Sequence, residues 1–441
     1  MRTIPDTAGT APGYEQLDIN GRLTRGGWTT LASGPAEHAD RSTAADGRWS
    51  FDVMAPSWCH LFMLYRTPVL HDIDEAVLAE IDDMRNRLRL HLRASRRWEG
   101  QLRRNLTARA IAGSNTIEGY AASVSDVEDI MVGETPIEAN DAVAVEIEGY
   151  RQAMTYIQRL AEAGDDFSFS KELLNALHFM MQGHHLLKRP GWWRTGPVYV
   201  TSAEDPAIAA YTAPDADSVP ALTAELVAWL NTGDLGAPGL VRASMAHLNL
   251  VSIHPWSDGN GRMSRALHTL VLAREGVVAP EFSSIEEWLG RARNTYRYYD
   301  VLAEVGGPVW TPERDTLAWI RFCLRAHHQQ AQAVERQVET TREVWTALDE
   351  AVERSGRPDR MLYALYPAAM GNRVRRATYQ ADAGLSEQQA QRDIRELVRA
   401  GWLAAKGEAQ GRYYTAGADL PEDITGRARR PRPLREPYRE S

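Results

Sequence analysis

Apolar residues recur three and four positions apart through most of the chain, and this spacing predicts helices. Leu78, Ile81, Met84, Leu88 and Leu92 share one helical face, and the same pattern continues with few interruptions to Ala331. Residues 315–331 place Leu317, Ile320, Phe322 and Leu324 on a helix expected to close the bundle, and the Gln- and Glu-rich residues 329–340 prolong it as a connector. Residues 198–200 and those around Tyr211 are candidate short strands separated by Glu204-Asp205-Pro206, which predicts one extended hairpin in an otherwise all-α core. Residues 1–50 are rich in Gly, Ala, Thr and Asp with few periodic apolar positions. Such a segment buries too little surface to offset its ordering entropy and is expected to be flexible. The expected layout is a flexible segment over 1–50, a helical region over 51–105, a core over 106–335, a second unit over 341–415 and a disordered Arg- and Pro-rich tail over 416–441.

The second unit has its own pattern. Ser386 with Gln389 three residues on reads as an N-cap, and Ala390, Ile394, Leu397 and Val398 mark one helix face before Gly401. Residues 402–404 and 412–415 then flank the turn-rich segment 406–411, which reads as two strands and a wing. The unit resembles a winged helix-turn-helix, with Gln388, Gln391, Arg392 and Arg395 outward on the candidate recognition helix. Residues 373–412 hold eight basic and five acidic side chains, against a whole-chain net charge of −9. This mild basicity permits DNA contact without requiring it, and dimerisation or target docking stays open as the unit's use.

Between two helical stretches lies the segment 254–265, reading His-Pro-Trp-Ser-Asp-Gly-Asn-Gly-Arg-Met-Ser-Arg. Val241, Met245 and Leu248 recur helically just before it, and Pro255 disfavours helix at His254, so the imidazole is expected at a chain turn. Gly259, Asn260 and Gly261 can adopt backbone conformations that let successive N–H groups converge on an anion as the next helix begins. Arg262 and Arg265 share one face of that helix, whose apolar side carries Ala266, Leu267, Leu270 and Val271 and which Gly276 ends. Base, carboxylate, anion nest and two guanidinium groups within twelve residues point to nucleotide chemistry.

These residues resemble the signature of the Fic family, also called Fido domains, whose members transfer a nucleotide monophosphate from a nucleoside triphosphate to a protein hydroxyl. The usual Phe at the third position is Trp256 here, which reads as a buried anchor. The resemblance implies a Fic-type helical core and an adenylyltransferase using ATP and Mg²⁺. His254 would be the base, suited by an unperturbed pKa of about 6.5, and Asp258 the Mg²⁺ ligand. Gly259, Asn260, Gly261, Arg262, Met263, Ser264 and Arg265 would form the phosphate site, with Arg262 neutralising the α- and β-phosphates and Arg265 holding the γ-phosphate. Ser114, Glu118 and Gly119 resemble the family's inhibitory motif in its N-terminal inhibitory-helix class. There Glu118 would pair with Arg265 and deny it to the γ-phosphate, or position water for removal of AMP. Ile208, Ala209, Ala210 and Tyr211 align best with the flap that holds a target segment by strand addition, while Tyr298 and Tyr299 resemble a tyrosine pair near the adenine or form a plain core pair.

Composition narrows the alternatives. The 441 residues are 44% hydrophobic, enough for two or three packed units. No apolar run of about 18 residues and no basic-then-apolar leader occurs, so cytoplasmic residence is expected. Cys59 and Cys323 lack metal-ligand spacing, and His184-His185 and His327-His328 read as surface or capping pairs. The partners implied are ATP, a protein bearing a Ser, Thr or Tyr hydroxyl, and either DNA or a second copy of the chain. A DNA-binding regulator with a nucleotide-sensing Fic domain, and an enzyme moving another phosphate-containing group, remain as alternatives.

Overall fold

A computed structural model describes residues 16–17, 64–92, 96–164, 166–201, 209–276, 279–408, 411–428 and 433–438. The expected flexible segment 1–50 lies outside them except at residues 16–17, as do Cys59, the insert 202–207 and Ile208.

Helix α1 (Asp72–Leu92) opens with Asp72, Asp74 and Glu75 and closes with Arg89 and His91, matching side-chain charge to the two ends of the helix dipole. Next come α2 (Glu99–Ile117), α3 (Val124–Met131), α4 (Asp141–Ala161) and α5 (Lys171–Gln182). Ser123, Asn140 and Ser170 start α3, α4 and α5 by accepting the backbone N–H of Asp126, Val143 and Leu173. The strands β1 (Gln16–Leu17), β2 (Tyr199–Thr201) and β3 (Ala209–Thr212) form one antiparallel sheet in that order. The expected hairpin is β2 and β3, pairing Val200 with Tyr211, and residues 16–17 add a strand to its outer edge.

Helix α6 (Val219–Thr232) leads into α7 (Gly239–Ile253) and α8 (Asn260–Arg274), which pack on each other at the centre with almost every residue buried. The short α9 (Pro280–Ser283) and α10 (Glu286–Leu289) follow, then α11 (Ala292–Gly306) and the long α12 (Leu317–Arg354). The first core surrounds α7 and α8 and contains Met245, Leu248, Ile253, Trp256, Leu267 and Leu270, all at 0% exposure. None of the described helices is long and apolar enough to cross a membrane.

Beyond α12 come α13 (Leu362–Ala369), α14 (Arg376–Asp382), α15 (Glu387–Arg399), the antiparallel pair β4 (Leu403–Lys406) and β5 (Tyr413–Ala416), and α16 (Glu422–Ala428). Three expectations need correction here. The boundary at 341 falls inside α12, and the second core mixes Leu88, Trp98, Leu102, Leu106 and Phe282 with Trp345, Leu365 and Leu397, because α1 and α2 extend far enough to share it. The tail after 416 is ordered where it is described. Leu420 and Ile424 bury into the second core, while Arg435 and Glu436 pair with Glu80 and Arg325. His327 and His328 are not surface groups but lie buried on α12, where His327 bonds His268 at 2.9 Å and His328 bonds Glu80 at 2.8 Å.

Candidate active site

Helix α7 stops because His254 takes a left-handed backbone (φ 54°), which turns the chain away before Pro255. Its Nδ1 lies 2.9 Å from the Val251 carbonyl. A carbonyl only accepts, so Nδ1 carries the proton of the neutral ring and Nε2 presents the lone pair. Burial pushes the imidazole down to about 4, so the ring is neutral at pH 7 and fit to accept a proton. Arg194, which the sequence did not single out, braces this turn. Its Nε donates to the His254 carbonyl at 2.8 Å, and its other nitrogens reach the carbonyls of Gly196 and Pro214, tying the turn to the chain on both sides of the sheet.

The loop from Trp256 to Gly259 is held from within. Trp256 is fully buried and stacks on His178 at 4.6 Å between ring centroids. The Gly191 N–H donates to His178 Nδ1 and leaves Nε2–H to donate to the Asp258 carbonyl at 2.9 Å. Asn260, expected in the phosphate site, closes this loop with its side chain. Its Oδ1 accepts from the Trp256 N–H and its Nδ2 donates to the Trp256 carbonyl. The amides of Asn260, Gly261 and Arg262 precede the first intrahelical bond of α8, Met263 N–H to the Gly259 carbonyl, so they form the positive mouth of the helix. Gly259 opens that helix at φ 75°, a conformation that favours glycine. Met263 and Ser264 do not face the mouth: Met263 is fully buried, and the Ser264 hydroxyl bonds the Asn260 carbonyl.

Asp258 sits at the rim, with Oδ1 accepting the Gly259 N–H and Oδ2 paired with Lys188. Burial works to raise its pKa, but Lys188 and Arg262 outweigh it and hold the carboxyl below its usual range. An ionised hard oxygen ligand beside an anion nest fits Mg²⁺, which takes one or two carboxylates together with substrate phosphates. Asp258 would hold the ion in place of its contact with Lys188.

The two arginines are buried and already paired. Arg262 donates to Glu146 at 2.5 Å and lies over the Tyr120 ring. Arg265 donates from Nη2 to Glu118 Oε1 at 2.6 Å and to the Ser114 carbonyl, and from Nε to the Ser114 hydroxyl. Arg262 Nε and Arg265 Nη1 are buried without a hydrogen-bond partner. Leaving such donors unmet costs about 1–3 kcal/mol, and more for charged groups. Glu118 caps α2 next to Gly119, whose φ of 85° turns the chain. Gly261 makes the approach feasible, since a Cβ there would run into Glu118 Oε1.

A cavity beside the mouth is lined by Glu118, Tyr211, His254, Arg265, Tyr298 and Tyr299, among others. Tyr298 is chiefly a core residue, its hydroxyl 2.9 Å from His247 Nε2, whereas Tyr299 is half-buried with its hydroxyl on the Ile117 carbonyl. Ala210 and Tyr211 of β3 line the same cavity, and the Tyr211 hydroxyl donates to the Ser252 carbonyl at 2.6 Å.

The mouth of α8 thus gathers backbone amides, two guanidinium groups, a carboxylate and a neutral imidazole. Residues 168–272, which span α5 through most of α8, match the Fic/DOC family model. The chain is 30% identical over 208 residues to the protein adenylyltransferase Fic of Culex quinquefasciatus, covering 47% of this chain and 37% of that protein. It is 26% identical over 218 residues to the protein adenylyltransferase fic-1 of Caenorhabditis elegans, covering 48% and 40%. The chain thus spans less than half the length of these relatives. A Fic family protein from Desulfovibrio desulfuricans G20 superposes with a TM-score of 0.49 at 20% identity, over 80% of this chain and 99% of that one.

Proposed function

We propose that the protein transfers AMP from ATP to a hydroxyl side chain of a target protein, and that Glu118 holds this activity back. The ion pair between Glu118 and Arg265, 147 residues apart in sequence, carries the reading. It occupies Nη2 of a guanidinium that lines the cavity beside the mouth together with His254 and Gly261. In the active form the α8 amides and Arg262 hold the α- and β-phosphates, and Arg265 holds the γ-phosphate once Glu118 withdraws. Mg²⁺ on Asp258, when bound, neutralises phosphate charge. His254 Nε2 takes the hydroxyl proton as the target oxygen bonds to the α-phosphorus. The bond from that phosphorus to the β-phosphate bridging oxygen breaks, and pyrophosphate leaves. The flap strand β3, beside the cavity, suits a target held by backbone pairing. Hydrolytic removal of AMP would use the same groups: water placed by Glu118 bonds to the phosphorus, the bond from phosphorus to the target oxygen breaks, and that oxygen leaves with a proton from His254 in its protonated form.

Incubation with α-labelled ATP tests this. Glu118→Gly is expected to raise labelling of the protein or its target by tenfold or more, an effect on the order of 1.4 kcal/mol in the barrier. His254→Ala in that background should abolish labelling while ATP still binds, because the phosphates are held elsewhere. Equal labelling with and without His254 would remove it as the base. Unchanged labelling after Glu118→Gly would leave the ion pair a structural contact.

A further inference from the structure

Glu146 on α4 uses Oε2 for Arg262, and its Oε1 faces two imidazoles at once. His184 Nε2 and His185 Nε2 each lie 3.1 Å from that oxygen, with ring centroids 4.4 Å apart. All three candidate ligand atoms lie within 4.8 Å of one another. Bonds of about 2.0–2.1 Å to Zn²⁺ in a tetrahedron place neighbouring ligand atoms about 3.3 Å apart, close to the two observed nitrogen-to-oxygen separations. The Glu146 side chain is 2% exposed, His184 18% and His185 46%, so the carboxylate is fixed while the imidazoles open to solvent and leave room for a water ligand. Arg262 at the second oxygen holds the carboxylate in orientation, as outer partners of metal ligands do.

We propose that Glu146, His184 and His185 form a binding site for a divalent transition metal of the Zn²⁺ type, with solvent completing the coordination. Two imidazoles and one carboxylate suit Zn²⁺ and disfavour Mg²⁺, which takes oxygen ligands. Without metal, each ring donates an Nε2 proton to Oε1; with metal on Nε2 each neutral ring carries its proton at Nδ1 instead, and only a ring protonated beforehand releases one. The site is distinct from Asp258, and its existence does not depend on nucleotide transfer. Occupancy would place positive charge on the carboxylate that pairs with Arg262, and so loosen that ion pair.

The test uses the full chain stripped of metal and titrated with Zn²⁺ against a chromophoric chelator, with Co²⁺ absorption reporting coordination. The parent should take up one equivalent with the visible bands of four-coordinate Co²⁺. His184→Ala and His185→Ala should each weaken it by about tenfold or more, since even outer-partner losses cost that much. Excess Mg²⁺ should not displace it. Circular dichroism checks that the variants fold, as substitution of these partly exposed rings permits. Zn²⁺ uptake of equal stoichiometry and affinity in the His184→Ala/His185→Ala double variant, or no uptake by the parent, would overturn the proposal.

Discussion

His254 illustrates how a single residue is prepared by its surroundings. The left-handed backbone there costs on the order of 1–3 kcal/mol for a residue other than glycine, and Arg194 offsets it by binding the carbonyls of Ile253 and His254. Because burial places the imidazole near 4 in the free protein, the base form persists far below the usual titration range of histidine. In the Glu118→Gly background, kcat/KM for ATP-dependent labelling should therefore stay level from pH 8 to about 5.5 and fall only as pH approaches 4. A decline centred near pH 6.5 would mean that the ring is solvated in the working enzyme. Much of this was legible in sequence, since Pro255 and the glycines dictate the turn within a dozen residues. Arg194 was not, because it lies between Pro190-Gly191 and Gly196-Pro197, where no periodicity marks a buried side. Glu146 did leave a trace, as an acid amid Val143, Ile147 and Tyr150 on the apolar stripe of α4, but only the fold shows that Arg262 meets it. The Asn260 side chain closes its own loop because a short amide next to a turn readily satisfies nearby backbone, a contact that no sequence pattern marks.

At the scale of elements, α2 is held at both ends. Arg104 bonds Asp382 of α14 through two nitrogens, at 2.8 and 2.6 Å, and Gln101 donates to the same carboxylate, while Glu118 and Ser114 grip Arg265 at the other end. Midway, Gly113 lies against α10 so closely that a Cβ would strike the Glu286 carbonyl. Gly113→Ala should push α2 away from α10 and lower stability by about 1–3 kcal/mol, the usual range for overpacking, read as a fall in the denaturant midpoint. Because the helix carries Glu118, ATP-dependent labelling of the folded variant should rise as well. A destabilised variant with unchanged labelling would show that the Glu118 grip is local to the last turn of α2. In the sequence, Ser114, Glu118 and Gly119 stood out only by their resemblance to an inhibitory motif. The reach of that helix to α14 depends on contacts between segments nearly three hundred residues apart, which no local pattern records.

For the whole molecule, the C-terminal elements are more than an appendage. Arg375 is buried against Asp129 of α3 at 3.1 Å and Arg373 pairs with Asp126, so two basic groups counted towards a DNA-binding surface are occupied within the chain. Arg376 pairs with Glu387 as well, which leaves Gln388, Gln391, Arg392 and Arg395 as the exposed outer face of α15. Two deletions then separate a structural from a recruiting role. Removing residues 341–441 would expose Leu88, Trp98, Leu102, Leu106 and Phe282 and leave Asp126 and Asp129 unpaired, and loss of one partner of a buried ion pair alone costs about 3–5 kcal/mol. The truncated chain is expected to aggregate or to lose its cooperative unfolding transition. Replacing Gln388, Gln391, Arg392 and Arg395 together by Ala removes only exposed side chains, so folding and self-labelling should persist. If the unit reads DNA, this variant loses the gel shift of the parent, and the parent's affinity falls steeply with salt because phosphate contacts release counterions. If it docks a protein target, self-labelling persists but labelling of the target drops. A truncated chain that folds cooperatively and labels itself like the parent would show that the second core is dispensable, and that α2 takes its position from the α7 and α8 side alone.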